Sequence, residues 1–239
     1  MKRNLENSPE LIKRFDSLER LVHWLSAFFT LTCIFTALAL KFPQLMVALG
    51  GRTPLRIVHI FSGILMPIPI VFGMLLPKKG AHLRKDIKTL NLWDKGDKKW
   101  LRSWGSAKSL WPGKFNGGQK ANASFSAGMM LVMLMTGTVM ATYNLFPLPW
   151  RQGATFVHNL LALFAIIIIG GHISYALMEP ASLKSMLSGS TTRAWAKKHS
   201  PAWVDEIDET DTKPPSSEAE FLNSIDLDKL IEASHKKGK

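Results

Sequence analysis

The chain has 239 residues, a formal net charge of +12 and one cysteine, Cys33. A single thiol excludes an internal disulfide and any cysteine-ligated cluster. The charge does not read as nucleic-acid binding, because it is parcelled out along the chain. Of 30 Lys and Arg, five lie in residues 1–20, twelve in 77–121 and four in 179–203, with only Lys41, Arg52 and Arg56 in one intervening segment and Arg151 in another.

Residues 1–20 carry Lys2, Arg3, Lys13, Arg14 and Arg20 without an apolar run, so no secretory signal is expected there. Four apolar blocks follow: Leu21–Leu40, Leu55–Leu76, Ala123–Leu145 and Ala154–Met178. Each has about 20 residues or more, enough helix to cross a hydrocarbon core of about 30 Å. None contains Asp or Glu. Backbone polar groups in lipid must be satisfied within the chain, so the expected fold is all-α, an integral membrane four-helix bundle. Pro67 and Pro69 should bend the second span. Gly63, Gly137, Gly170 and Gly171 leave room for a neighbouring helix or a flat cofactor.

The alternation of basic segments predicts cytoplasmic N- and C-termini, and attraction to anionic lipids. Residues 77–121 are expected as a long basic cytoplasmic loop, with Trp93, Trp100, Trp104 and Trp111 arguing for order against the membrane interface or a partner. Residues 181–187 are a candidate interfacial helix. From Val204 onward the tail holds ten of the chain's 18 carboxylates and is expected to be disordered after about residue 205, or ordered by a partner. The expected organisation is a cytoplasmic arm over 1–19, a four-span domain over 20–178 and a cytoplasmic tail over 179–239.

Four of the seven histidines, His23, His59, His158 and His172, fall inside the spans. Ionisable residues in lipid are costly and mark function. His23 starts span one on the cytoplasmic side; His59 and His158 start spans two and four on the outer side. His172 lies 14 residues after His158, roughly 21 Å further along the helix and within about 40° of the same face. The histidines therefore form two pairs, His23 with His172 inside and His59 with His158 outside. Two facing imidazoles are how a bundle holds a b-type haem. Zinc is a poorer match, since no carboxylate or thiolate completes a tetrahedral set at either depth. Structural and proton-relay histidines remain the alternatives. Arg20 and Arg56 each precede a histidine by three residues and so share its face. They are candidates for haem propionates, or else ordinary interfacial arginines.

Over roughly residues 14–207 the sequence resembles the cytochrome b (gamma) subunit of respiratory formate dehydrogenases. The resemblance is carried by Arg20-x-x-His23-Trp24, Arg56-x-x-His59, Gly113-Lys-Phe-Asn-Gly-Gly-Gln-Lys120 and Thr136-Gly137. The His158–His172 spacing and Arg193-Ala-Trp-Ala-Lys-Lys-His199-x-Pro-x-Trp203 add to it. The span-four spacing is shared with cytochromes b of nickel–iron hydrogenases and thiosulfate reductases. The sequence departs from the pattern in its Trp-rich loop around Trp93–Trp111 and in the sharp end of span four at Met178-Glu179-Pro180.

The resemblance implies two haems b in the bacterial cytoplasmic membrane. The outer one would take electrons from an iron–sulfur subunit served by a catalytic molybdopterin (Mo or W) subunit. The inner one would pass them to a quinone, menaquinone or ubiquinone. It also implies a quinone site beside His172 lined by Asn116 and Gly118, with Gln119 as a further candidate. Without the resemblance, Asn116-Gly117-Gly118 reads as a turn before a helix. The rival functions are the same cytochrome serving a hydrogenase, thiosulfate or other molybdoenzyme module, and a haem-free anchor.

Overall fold

A computed structural model describes residues 10–105 and 113–212. Residues 1–9 of the arm, Trp111 and the tail after 212 lie outside the described residues. The chain enters through a strand, β1 (Leu11–Lys13), and turns into α1 (Ser17–Lys41). Asp16 starts that helix with a reciprocal cap: its Oδ1 accepts from the Glu19 N–H at 2.7 Å, and Glu19 Oε2 accepts from the Asp16 N–H at 2.7 Å. After α2 (Pro43–Ala48), the second span is broken into α3 (Arg52–Leu65) and α4 (Ile68–Leu75). The break falls at Met66–Pro67, where proline removes a backbone donor and its ring crowds the preceding turn.

The segment expected as a long loop is largely helical, forming α5 (Ala81–Asn91) and α6 (Lys95–Arg102). The third span, α7 (Gly117–Ala141), and the fourth, α8 (Leu148–Met178), both start about six residues before the apolar blocks do. Asn116 caps α7, and Pro149 sits in the first turn of α8 without loss because that turn's N–H groups have no intrahelical partner. Four helices, Ser17–Lys41, Arg52–Leu75, Gly117–Ala141 and Leu148–Met178, are long and apolar enough to cross a membrane.

Around the bundle α1 packs on α3 and α4, α3 on α7, α7 on α8, and α8 back on α1. The largest side chains point outward: Phe28, Phe72, Leu131 and Phe156 are each more than 60% exposed. That inversion of a water-soluble core is what a lipid-facing surface requires.

A small water-side core closes the bundle at one end. After α8 come α9 (Pro180–Ser188), β2 (Ser190–Thr192), α10 (Arg193–His199) and α11 (Pro201–Thr212). Strand β2 pairs antiparallel with β1, Ile12 opposite Thr191. Gly189 makes the turn with φ +90, and a Cβ there would come within 2.7 Å of the Phe15 carbonyl, so both conformation and space demand glycine. Ala196, Trp203 and Val204 are buried against Ile12, Trp195 and Ile207. The tail, expected to be mostly disordered after about 205, is helical as far as Thr212. Trp203 and Val204 (7% and 2% exposed) supply apolar burial that the acidic composition hides.

Candidate functional site

The straight apolar helices place the four intramembrane histidines in two pairs. The ring centroids of His23 (α1) and His172 (α8) are 6.3 Å apart, and those of His59 (α3) and His158 (α8) are 6.2 Å apart. Two imidazoles binding one metal ion in line have ring centres about 6 Å apart, twice the sum of a metal–nitrogen bond of about 2 Å and roughly 1 Å from nitrogen to ring centre. Both pairs therefore fit a single iron between two imidazoles. Among the described residues no three His, Cys, Asp or Glu gather to hold a metal ion, which disfavours a tetrahedral zinc site there.

The His59–His158 pair makes two further contacts. Thr36 Oγ1 on α1 lies 2.9 Å from His59 Nδ1, and Thr136 Oγ1 on α7 lies 2.9 Å from His158 Nδ1. A Cβ at Gly137 would touch His158 Cε1 at 3.4 Å, so this glycine lets α7 lie close to the ring. At Gly63, Gly170 and Gly171 a Cβ would meet nothing within 4 Å; those positions do not serve close helix contact.

The His23–His172 pair is braced through α9. Trp24 Nε1 donates to the Met186 carbonyl at 3.2 Å, and Arg20 donates to the Leu187 carbonyl at 2.5 Å and the Asp16 carbonyl at 3.3 Å. Arg20 thus already ties α1 to the carbonyls that end α9. Arg56 is exposed near the start of α3.

The Gly113–Lys120 stretch is a structural joint. Asn116 Oδ1 accepts from the Gln119 N–H at 2.9 Å, and Gln119 Oε1 accepts from the Asn116 N–H at 3.0 Å. Those two side-chain oxygens are therefore engaged in capping α7. A Cβ at Gly117 would meet the Asp97 backbone at 2.7 Å, and one at Gly118 would meet the Trp100 ring at 2.4 Å. The flat ring that Gly118 admits is the Trp100 indole of α6, while Gly117 lies against the α6 backbone. Lys120 is buried and donates to Asp97 at 2.7 Å and to the Leu92 carbonyl at 2.8 Å.

Sequence reasoning did not single out the buried charges beside this joint. Lys114 pairs with Asp86 at 2.5 Å and lies 3.9 Å from Glu19. Arg14 donates to Ser182, Ser185 and the Lys114 carbonyl, and its guanidinium lies over Phe15 and Trp195. Burial pulls the Arg14 pKa down from its ordinary value to about 10, against the opposing effect of Asp86. The signal for these residues was present as Arg and Lys flanking aromatic residues, Arg14-Phe15 and Lys114-Phe115, but such pairs are common on ordinary surfaces. Further along, Arg193 pairs with Glu10 and Asp208, and Trp195 stacks on His199 with centroids 4.7 Å apart.

Comparison with known proteins identifies the family. The chain is 28% identical to the formate dehydrogenase cytochrome b556(fdo) subunit of Escherichia coli, covering 85% of this chain and 97% of that one. It is 27% identical to the cytochrome b556(Fdn) subunit of the nitrate-inducible formate dehydrogenase of the same species, over 89% and 99% of the two chains. A formate dehydrogenase cytochrome b556 subunit of Haemophilus influenzae is 29% identical over 98% and 94%. Residues 14–189, from the buried Arg14 through all four spans to the Gly189 turn, match the family model for prokaryotic cytochrome b561, and the chain belongs to that family of multi-pass membrane cytochromes.

Proposed function

We propose that the chain is the membrane-anchored electron-transfer subunit of a formate dehydrogenase-type complex, with two haems b, one at each histidine pair. The observation that carries this reading is the pair of imidazole–imidazole spacings, 6.3 and 6.2 Å, separated along α8 by the 14 residues from His158 to His172. When bound, haem b supplies reversible one-electron chemistry at its iron.

The chain's own residues do the rest. His23 and His172 would hold the inner haem, His59 and His158 the outer one. Arg20 and Arg56 stand at the ends of the same helices and are the candidates for propionates, with Arg20 already shared with carbonyls. Roughly 21 Å of α8 separates the two levels. A quinone, menaquinone or ubiquinone, would lie beside His172 and the start of α7. Asn116 would offer its amide there, Gln119 would hold Asn116 by the reciprocal cap, and Gly118 would keep that turn against Trp100. Quinone reduction at that face draws its protons from the cytoplasm.

The alternation of Lys and Arg along the chain supports a cytoplasmic side of the bacterial inner membrane for the N-terminus, α5, α6 and the tail. An iron–sulfur subunit then docks at the outer face and relays electrons from a molybdopterin subunit. Basic residues of α5 and α6 face anionic lipid headgroups. The three-part division at residues 1–19, 20–178 and 179–239 belongs to the same proposal, although β1 and β2 join its first and last parts.

The test is a haem count with a dithionite-reduced minus oxidised spectrum of the purified chain. Two protohaems per chain with a b-type alpha band are expected. A folded, colourless chain refutes the proposal, and a single haem removes one of the two pairs from it.

A further inference from the structure

We propose that Thr36 and Thr136 are positioning residues of the outer histidine pair, each fixing the imidazole tautomer that leaves Nε2 for iron and lowering the potential of the outer haem. The proposal rests on the two-haem reading above. Its basis is an asymmetry between the two pairs. Both outer rings have a threonine hydroxyl on Nδ1 at 2.9 Å. Neither ring nitrogen of His23 or His172 has a hydrogen-bond partner among the described residues.

The direction of each bond follows from proton bookkeeping. A hydroxyl has one proton to donate and two lone pairs to accept with. The Thr36 proton goes back to its own helix, to the Thr32 carbonyl at 2.7 Å. The Thr136 proton goes to the Val132 carbonyl at 2.8 Å. Each Oγ1 is left to accept, so the proton between threonine and histidine resides on Nδ1. Nε2 then carries the free lone pair, which is the form that binds iron.

Two consequences follow for the site. Each threonine belongs to a different helix from its histidine, α1 against α3 and α7 against α8, so the bond fixes ring rotation across a helix interface. An imidazole that donates its N–H is also a stronger electron donor to a metal. The acceptor here is polarised by its own bond to a carbonyl, in surroundings without competing water. A more basic ligand pair would favour the oxidised iron and so lower the potential of a haem held there. An electron moving toward the inner pair then moves downhill by this contribution.

The experiment is a potentiometric titration, followed optically and by electron paramagnetic resonance of the ferric state, on the full haem-loaded chain. Thr36→Val and Thr136→Val keep the side-chain shape and remove the hydroxyl; Thr36→Ser and Thr136→Ser keep the hydroxyl. A His172→Ala background identifies which signal belongs to the outer haem. In the double valine variant the reduced-to-oxidised ratio of the outer haem at fixed ambient potential should rise about tenfold, a 59 mV upward shift for one electron. The inner haem should not move, and the serine variants should behave as the wild type. Selective loss of the outer haem from the valine variants, with retention by serine, also supports the assignment. Unmoved midpoints in haem-replete valine variants overturn it, as does a serine shift or haem loss equal to the valine one, or a shift confined to the inner haem. A wild-type chain carrying other than two haems is instead a failure of the two-haem reading, seen before any variant is made.

Discussion

Replacing Gly118 by alanine separates a structural from a quinone-binding role for the glycine pair. The added Cβ would sit 2.4 and 2.5 Å from two ring carbons of Trp100, at least about 1 Å inside a normal carbon–carbon contact. Gly105 also lies close to the indole, since a Cβ built there would come within 2.9 Å of the ring. Overpacking of this kind costs about 1–3 kcal/mol. Better helix propensity returns up to about 1 kcal/mol, less than that near a helix end. The net expectation is a loss of about 1–2 kcal/mol, read as a melting temperature a few degrees lower in detergent. Trimming the obstacle in Gly118→Ala/Trp100→Leu should recover most of it relative to Trp100→Leu alone. A Gly118→Ala chain that melts like the wild type, or a loss that Trp100→Leu does not relieve, refutes the packing account. An increased KM for quinone at unchanged stability would show that the glycine instead faces the substrate.

Other perturbations probe separate parts of the molecule. His172→Ala should halve the haem content and abolish quinone reduction while the remaining haem stays reducible, checked by spectrum and quinone assay. Lys114→Met leaves Asp86 and Glu19 buried beside each other without their cation, and should destabilise by about 3 kcal/mol, the low end for a broken buried pair because Arg14 remains nearby; thermal unfolding measures it. Trp203→Ala removes the largest side chain of the water-side core and should cost about 3–5 kcal/mol locally, seen as faster proteolysis within residues 190–212 with the spans intact. Lys85, on α5, is bonded to Glu206 of α11 at 2.8 Å, which raises its pKa above 10.5. A raised folded-state pKa means that its stabilisation is fully present below 10.5 and is lost as pH rises through the higher folded value. The pair is exposed, so Glu206→Gln should cost no more than ~1 kcal/mol and make proteolysis of α11 less sensitive to added salt, the Arg193–Asp208 pair remaining.

The spans and the histidine pairing were legible because both depend on simple periods. Twenty apolar residues register as a lipid-crossing helix, and 14 residues along one helix register as one face at two depths. The true starts of α7 and α8 were not legible, since hydropathy responds to lipid contact whereas a helix begins where its N–H groups are capped. Asn116 lies seven residues before the apolar block of span three, and its reciprocal bonds with Gln119 fix the start. Gly117 and Gly118 read as a turn before a helix, and nothing in the sequence revealed that Gly117 lies against the Asp97 backbone and Gly118 against the Trp100 ring. Thr36 and Thr136 were hidden for a different reason. Threonines in apolar helices routinely bond their own backbone, and only the crossing of α1 with α3 and of α7 with α8 brings their second lone pairs to histidine. The helix over residues 201–212 was masked by its acidic composition, because two side chains, Trp203 and Val204, outweigh the surrounding charge once Ile12 and Trp195 are beside them.

The pairing of β1 with β2 also imposes an order on biosynthesis. Leu11–Lys13 leaves the ribosome early, yet its partner Ser190–Thr192 is made only after all four spans. The first strand must wait through the insertion of the whole bundle before it can be matched. A chain that stops short in span four, or that fails to insert one span so that the two strands emerge on opposite sides, leaves this latch open. Closure of a three-residue ladder therefore reports that translation has passed the last span and that an even number of crossings has been completed.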